Sequence, residues 1–185
     1  MNAPKQARGL DIKAFAQSGD ARQQEDRLAD YPRLIEETGG RGAERPVRWR
    51  AVGQLRAPAG LAPQVWLHLT ASAALPLTCQ RCLEPVDEVL EVDRWFRFVA
   101  DEAAAEREDE EAEEDVLVLD PAFDLQALVE DELLMALPLV PRHAVCPGEV
   151  RMEAVGPGFV EAEAAKPNPF GALAGLKRKP SVNDD

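Results

Sequence analysis

Three stretches of alternating apolar and polar residues constrain the fold of this chain more than any other feature. In VRWRAVGQLR, residues 47–56, the odd positions are apolar or small and most even positions are arginine or glutamine. The odd positions from 65 to 79 continue the pattern, and a third run covers 86–99. Successive side chains of a strand point to opposite faces, so each run predicts a strand with one buried face. The second and third runs, joined by six residues, predict an antiparallel hairpin with C-x-x-C at its tip.

Elements after the hairpin complete the predicted fold class. The second run is long for one strand, so a bulge or bend is expected near 71–76. VLVLD, residues 116–120, predicts a further short strand. A helix is expected after Asp124, which can cap it, and Pro138 ends its apolar stripe. The prediction is an α+β fold, an antiparallel β-sheet with a packed amphipathic helix, a disordered acidic loop and tails.

Breaker residues and composition suggest three sections. The cluster GGRGAERP ends an N-terminal helical or irregular segment, residues 1–46. The α+β core is expected over 47–147, followed by a C-terminal tail over 148–185 with a short helix near 169–178.

The net charge of −13 is concentrated in one run. Residues 101–115 contain ten acids and one arginine, so this run alone carries −9. Such a segment cannot bury enough apolar surface to offset its ordering entropy, which predicts a disordered, solvated loop. The alternative is an acidic mimic of nucleic acid that attracts a basic partner.

Four residues with the right chemistry form two pairs at equal spacing. Cys79-x-x-Cys82 lies at the hairpin tip, and His143-x-x-Cys146 follows the helix. Together they supply the Cys₃His set of a closed tetrahedral zinc site, so a structural zinc is the one cofactor that the sequence indicates. Two alternatives stay open: Cys79 is simply the last buried residue of its strand and the others are incidental, or the thiols serve redox chemistry. Redox pairs usually open a helix, whereas this pair lies between strands.

No constellation in the sequence indicates an enzyme. Glu130, Asp131 and Glu132 are adjacent acids, but three consecutive residues point around a helix, so they are expected on a solvated face. His68 is expected to be an ordinary surface residue.

Two sets of residues are candidate contacts for RNA or a protein. Arg48, Arg50 and Arg56 share the polar face of the first strand, and Trp66, of opposite parity to its apolar neighbours, is a candidate exposed stacking aromatic. The C-terminal stretch KPNPFGALAGLKRK combines a helix start, an apolar residue and a basic end: Asn168, Pro169, Phe170, Lys177, Arg178 and Lys179. Its alternative interpretation is a capped terminal helix whose basic end complements the helix dipole.

The location of the chain is expected to be cytoplasmic. No apolar run approaches the roughly 20 residues that span a bilayer, and the first fifteen residues have no apolar core typical of a secretory signal. Three cysteines, an odd number, favour a reducing compartment.

Three stretches together resemble one family. LTCQRCLEP, FDLQALVEDELLMALPLVPRH and KPNPFGALAGLKRK look like the signature blocks of the YceD family, the large ribosomal RNA subunit accumulation proteins of bacteria. The resemblance implies a non-enzymatic role in the synthesis, processing or stability of 23S ribosomal RNA during large-subunit assembly. The implied partners are 23S ribosomal RNA or a large-subunit assembly intermediate, or a ribosomal protein, with no membrane and no small-molecule substrate. The alternative is an adaptor that binds a basic ribosomal protein without touching RNA.

Overall fold

The structure, a computed structural model, describes residues 9–57, 59–60, 62–110, 112–148 and 156. The chain divides into two compact units, Met1–Val150 and Arg151–Asp185. The helices and strands of the first unit are α1 (Ile12–Ser18), β1 (Ala21–Arg27), a 3₁₀ turn (Leu28–Asp30), α2 (Pro32–Glu37), β2 (Pro46–Arg56), β3 (Gln64–Thr78), β4 (Pro85–Val99), α3 (Glu102–Asp109), β5 (Asp115–Val118) and α4 (Leu125–Met135). Among the described helices, none is long and apolar enough to cross a membrane.

Strands β3 and β4 form the long hairpin that the alternation predicts. Their register runs without interruption from Val65 opposite Phe98 to Thr78 opposite Pro85. The bulge or bend expected near 71–76 was wrong, because β3 pairs continuously through this stretch. Its partner β4 also has 15 residues, so the backbone of β3 finds a hydrogen-bonding partner along its whole length.

The five strands form one sheet in the order β1-β2-β3-β4-β5. The first four are antiparallel neighbours, whereas β5 runs parallel to β4 with Phe96 opposite Asp115. A parallel neighbour needs a crossover connection, and α3 lies in that connection. The predicted α+β class is confirmed, with a mostly antiparallel sheet.

The edge strand β1 was not expected from the sequence. Its residues, ARQQEDR, include no large apolar side chain, so no alternation marks them. Asp26 takes the place of an apolar contact: its carboxylate accepts hydrogen bonds from the Tyr31 hydroxyl and from the indole N–H of Trp49, both at 2.8 Å. The N-terminal section therefore contributes a strand to the same sheet as the residues that follow it.

The helices α1 and α4 pack on the face of the sheet that carries the buried apolar side chains. Helix α1 lies against β2 and β3, and α4 lies against β3 and β4. Gly53 of β2 marks the closest approach: a Cβ at this position would lie 2.7 Å from the carbonyl oxygen of Phe15 and 2.8 Å from the Cα of Ala16. Only glycine fits here without moving α1 away from the sheet.

The acidic stretch differs from the expected disordered loop. Glu102–Asp109 is helical, and the carboxylate of Asp101 caps the helix by accepting from the backbone N–H of Ala104 at 2.8 Å. Glu108 and Glu114 both pair with Arg97, whose side chain is only 9% exposed. A nearly buried guanidinium needs carboxylate partners, and this need orders part of the segment despite its composition.

The solvated face expected for the three acids of α4 was also wrong for two of them. Glu130 and Glu132 are buried, and Asp131 alone is exposed. The carboxylate of Glu130 accepts from the backbone N–H groups of Arg33 and Leu34 at 2.7 and 3.4 Å. These are first-turn groups of α2, so Glu130 caps a helix that precedes it by almost a hundred residues.

Candidate metal centre at the hairpin tip

The tip of the β3–β4 hairpin is a tight turn that holds both cysteines of the first pair. The backbone N–H of Leu83 donates to the carbonyl of Cys79, and the N–H of Cys79 donates to the carbonyl of Glu84, both at 2.9 Å. Leu83 has a φ of 64°, a left-handed conformation that is uncommon for a residue with a side chain. The turn therefore accepts local strain while it brings Cys79 and Cys82 together.

The second pair reaches this turn because of the way the chain leaves α4. The helix ends at Met135, and two prolines, Pro138 and Pro141, exclude its continuation. The carbonyl of Pro141 then accepts a hydrogen bond of 2.9 Å from the backbone N–H of Gln80. This bond fastens the segment after α4 to the hairpin tip and places His143 and Cys146 beside the first pair.

The four ligand atoms lie within bonding range of a single ion. One atom each from Cys79, Cys82, His143 and Cys146 lies within 4.8 Å of the other three. The Sγ of Cys82 is 3.4 Å from the Nδ1 of His143. A tetrahedral zinc with Zn–S bonds of about 2.3 Å and a Zn–N bond of about 2.0 Å separates its ligands by about 3.5–3.8 Å. The cluster could therefore hold a metal, and three thiols with one imidazole are a donor set typical of structural zinc.

The orientation of His143 fits this role. Its Nε2 lies 2.9 Å from the carbonyl oxygen of Pro85. A carbonyl only accepts hydrogen bonds, so Nε2 carries the proton and the lone pair is on Nδ1, the atom that faces Cys82. A hydrogen bond from the second ring nitrogen to a backbone carbonyl is the usual support of a metal-bound histidine.

The thiols of the cluster differ in acidity. Burial raises the pKa of Cys79, but hydrogen bonds from the backbone N–H groups of Cys82, Arg81 and His143 stabilise its thiolate and bring the pKa down to about 5. Burial is the largest cause that raises the pKa of Cys146, and together with the neighbouring Cys82 and Cys79 it brings that pKa to about 11. A cation among three thiols stabilises all three as thiolates, the form in which cysteine binds metal.

The predicted contact residues of the sheet lie on its open face, but most are engaged within the protein. Arg48 pairs with Glu25 at 2.6 Å. The guanidinium carbon of Arg56 lies over two indole rings, 4.1 Å from the ring centre of Trp66 and 4.0 Å from that of Trp95. Trp66 has the predicted parity, but the expected exposure was wrong: it is only 9% exposed. The side chain of Arg50 makes no ion pair in the described part of the chain.

Two contacts of His68, with Trp95 and with Asp93, were not expected from the sequence. His68 stacks on Trp95 with ring centres 4.3 Å apart and planes inclined by 10°, and its Nε2 is 2.6 Å from a carboxylate oxygen of Asp93. The signal for this contact was the hairpin register, which places His68 opposite Trp95. His68 is thus part of a stack rather than an isolated surface residue.

The C-terminal candidates lie outside the described residues: Asn168, Pro169, Phe170, Lys177, Arg178 and Lys179, together with the helix expected near 169–178.

Comparison with known proteins identifies the family of this chain. The family model described as Large ribosomal RNA subunit accumulation protein YceD matches residues 67–177, more than half of the chain. The chain belongs to the YceD family. A curated relative of that name from Haemophilus influenzae is 41% identical over 104 residues, which are 56% of this chain and 60% of the relative. The match thus spans less than two thirds of the relative's length. No solved structure matches the chain.

The YceD match divides the candidate residues into two groups. All four residues of the metal cluster lie within it: Cys79, Cys82, His143 and Cys146. The sheet-face candidates Arg48, Arg50, Arg56 and Trp66 precede it. The matched region therefore contains the metal cluster at the hairpin tip but not the candidate contact residues of the sheet face.

Proposed function

We propose that this protein is a non-enzymatic factor in the synthesis, processing or stability of 23S ribosomal RNA, acting in the cytoplasm during large-subunit assembly. The observation that carries the proposal is the YceD match over residues 67–177. The name of the family and of the Haemophilus influenzae relative refers to accumulation of the large ribosomal RNA subunit. The partners of this chain would be that RNA or an assembly intermediate that contains it.

The donor set of the hairpin tip supports a role without catalysis. A catalytic zinc usually keeps one position open for water or substrate and takes three protein ligands. Here four protein ligands converge, and they would occupy all four positions of a tetrahedral ion. We propose that Cys79, Cys82, His143 and Cys146 bind one zinc ion, which fixes the hairpin tip against the segment after α4.

The sheet-face residues remain candidate contacts with RNA. Arg50 is the member of that set best placed for a phosphate, because Arg48 already pairs with Glu25 and Arg56 lies over two indole rings. A second contact, with a basic end, would come from the C-terminal candidates: Asn168, Pro169, Phe170, Lys177, Arg178 and Lys179.

An adaptor function is the second candidate, and the acidic stretch favours it. Residues 101–115 carry a net charge of −9, and α3 presents exposed carboxylates such as Glu102 and Glu106. Such a surface attracts a basic protein, and ribosomal proteins are a basic class. In this alternative, the protein binds a ribosomal protein and touches no RNA.

Deletion of the gene in its native host tests the proposed function. We expect the ratio of 23S to 16S ribosomal RNA to fall in the deletion strain and to recover when the full chain is supplied. The purified protein should not cleave deproteinised ribosomal RNA. Ultraviolet crosslinking followed by denaturing purification should recover RNA with the factor, whereas an adaptor would recover protein alone.

An unchanged ratio of the two ribosomal RNAs, with normal levels of large subunits, would contradict the proposed function. RNA cleavage by the purified protein that disappears with a substitution in the chain would contradict the non-enzymatic part.

A further inference from the structure

Exposed apolar side chains are concentrated around the metal cluster. Leu83, Leu139, Val140 and Val145 are 75%, 100%, 57% and 84% exposed. They are four of the seven large apolar side chains that are markedly exposed in the part of the chain that the structure describes. Apolar side chains that gather at one place on a surface, rather than singly, mark an interaction site.

These side chains stand on backbone that is fixed from several directions. Leu83 follows Cys82, and Val145 precedes Cys146, so both adjoin members of the metal cluster. Val140 precedes Pro141, whose carbonyl is bonded to the hairpin tip. Backbone held in this way can present apolar groups to a partner at a low cost in ordering entropy.

Two arginines without acidic partners lie among the apolar residues. Arg81 lies between the two cysteines of the tip, and Arg142 precedes His143; both are exposed, and neither forms an ion pair in the described part of the chain. Arg41 adds a third cation at the base of the tip, where it donates to the carbonyl of Pro76 and to the hydroxyl of Thr78.

Elsewhere, most arginines are neutralised within the protein. Six described arginines pair with carboxylates: Arg27, Arg33, Arg45, Arg48, Arg94 and Arg97. Arg81 and Arg142 therefore place two cations without an ion pair at the tip of a chain with a net charge of −13, whereas Arg50, which also makes no ion pair in the described part of the chain, lies on the sheet face. We define the tip surface as Arg81, Leu83, Leu139, Val140, Arg142 and Val145.

We propose that the tip surface binds single-stranded RNA. This inference rests on the proposed function and specifies where the RNA binds. The arginines would bind phosphates, and the aliphatic side chains would pack against bases and riboses. The charge of Arg81 and Arg142 favours an anionic partner over a basic ribosomal protein. The whole tip surface also lies within the residues that match the family.

Fluorescence anisotropy with a fluorescein-labelled 20-nucleotide single-stranded RNA of mixed sequence tests the proposal. The full chain, with its zinc content measured, is titrated at several salt concentrations. The affinity for a single strand falls with salt with a logarithmic slope of about 0.7 for each phosphate contact. The double variant Arg81→Ala/Arg142→Ala should therefore reduce this slope by about 1.4.

The apolar members of the tip surface provide a second, independent readout. Leu83→Ser/Val145→Ser should weaken binding by about tenfold or more, because apolar contacts are lost. The salt slope should stay the same, since no phosphate contact is removed. Circular dichroism and zinc content of each variant establish that the tip is still formed.

Arg107→Ala is the matched control. Arg107 is exposed and, in the described part of the chain, donates to the carbonyl of Ala103 alone. It lies in the acidic helix away from the tip surface, so its loss should change neither affinity nor slope. Arg50→Ala tests the sheet face in the same assay.

Three outcomes would overturn the tip surface as an RNA site. The first is undetectable RNA binding by the folded wild-type chain. The second is an unchanged salt slope in Arg81→Ala/Arg142→Ala. The third is RNA binding that is lost in Arg50→Ala alone, together with binding of an acidic peptide in place of RNA at the tip surface. In the deletion strain, recovery of the 23S to 16S ratio by Arg81→Ala/Arg142→Ala would reject the tip surface and leave the proposed function standing. A normal ratio without any copy of the gene would reject the proposed function itself.

Discussion

The cap that Glu130 provides for α2 gives the sharpest test of the tertiary structure. Tyr31, the residue before α2, makes no capping hydrogen bond with its side chain, and Pro32 has no N–H. The free donors of the first turn are the N–H groups of Arg33 and Leu34, and both are satisfied by Glu130. Glu130→Ala leaves these donors without an acceptor from the protein.

The expected loss follows from these contacts. Removing a helix cap costs about 1 kcal/mol, and up to about 2 kcal/mol where the site is well ordered. The ion pair with Arg33, whose side chain is 49% exposed, adds about 0.5 kcal/mol after solvent screening. We therefore expect Glu130→Ala to lower the free energy of unfolding by about 2 kcal/mol, which lowers the melting temperature by about 4–8 °C for a chain of this size.

Urea unfolding followed by tryptophan fluorescence measures this loss. Asp131→Ala is the control, because the Asp131 carboxylate is exposed and, among the described residues, pairs with the guanidinium of Arg33 alone; it should cost about 0.5 kcal/mol or less. Arg33→Ala keeps both backbone donors capped and should also cost less than Glu130→Ala. Equal losses in Glu130→Ala and Asp131→Ala would refute the cap as the source of stability.

Three further predictions concern other parts of the fold. Cys82→Ser should release zinc and loosen the hairpin tip, and metal analysis of untagged protein checks it: a wild-type zinc ratio near zero would contradict the site. Gly53→Ala should lower the free energy of unfolding by about 1–3 kcal/mol, because its methyl group overlaps the backbone of α1; an unchanged urea midpoint would contradict that contact. Glu132→Gln should stabilise the protein at neutral pH, because burial raises the pKa of Glu132 in the folded state above its ordinary value of 4.5. Ionised Glu132 is then destabilising above its folded pKa, so the gain should disappear as the pH falls below 4.5; a gain that persists at low pH would refute this cause.

The sequence correctly predicts the strands and helices in which the spacing of apolar residues matches the face that is buried. The hairpin is correct because one face of β3 packs against helices, and that face imposes the alternation. Asp124 is confirmed as the cap of α4, since its carboxylate accepts from the N–H of Ala127 at 3.0 Å. Both features depend on neighbours within a few residues or on burial of a whole face.

The features missed in the sequence depend on residues far apart in the chain. The strand β1 is held by hydrogen bonding to β2 and by the contacts of Asp26, which no apolar pattern records. Glu130 is buried because α2 lies against α4. The spacing of the two pairs predicts the chemistry of the metal cluster, but their proximity depends on how the segment after α4 returns to the hairpin.

The length of β4 bears on how an acidic protein could approach RNA. This strand separates the hairpin tip from α3, and its 15 residues span about 50 Å at about 3.3 Å per residue. In physiological salt, the electric field of a charge decays over about 8 Å, so the carboxylates of α3 lie several decay lengths from Arg81. A polyanion at the tip would therefore sense little of the charge of −9 that residues 101–115 carry under these conditions. At about 0.01 M salt the decay length grows to about 30 Å, and repulsion from the far end should begin to oppose the attraction at the tip.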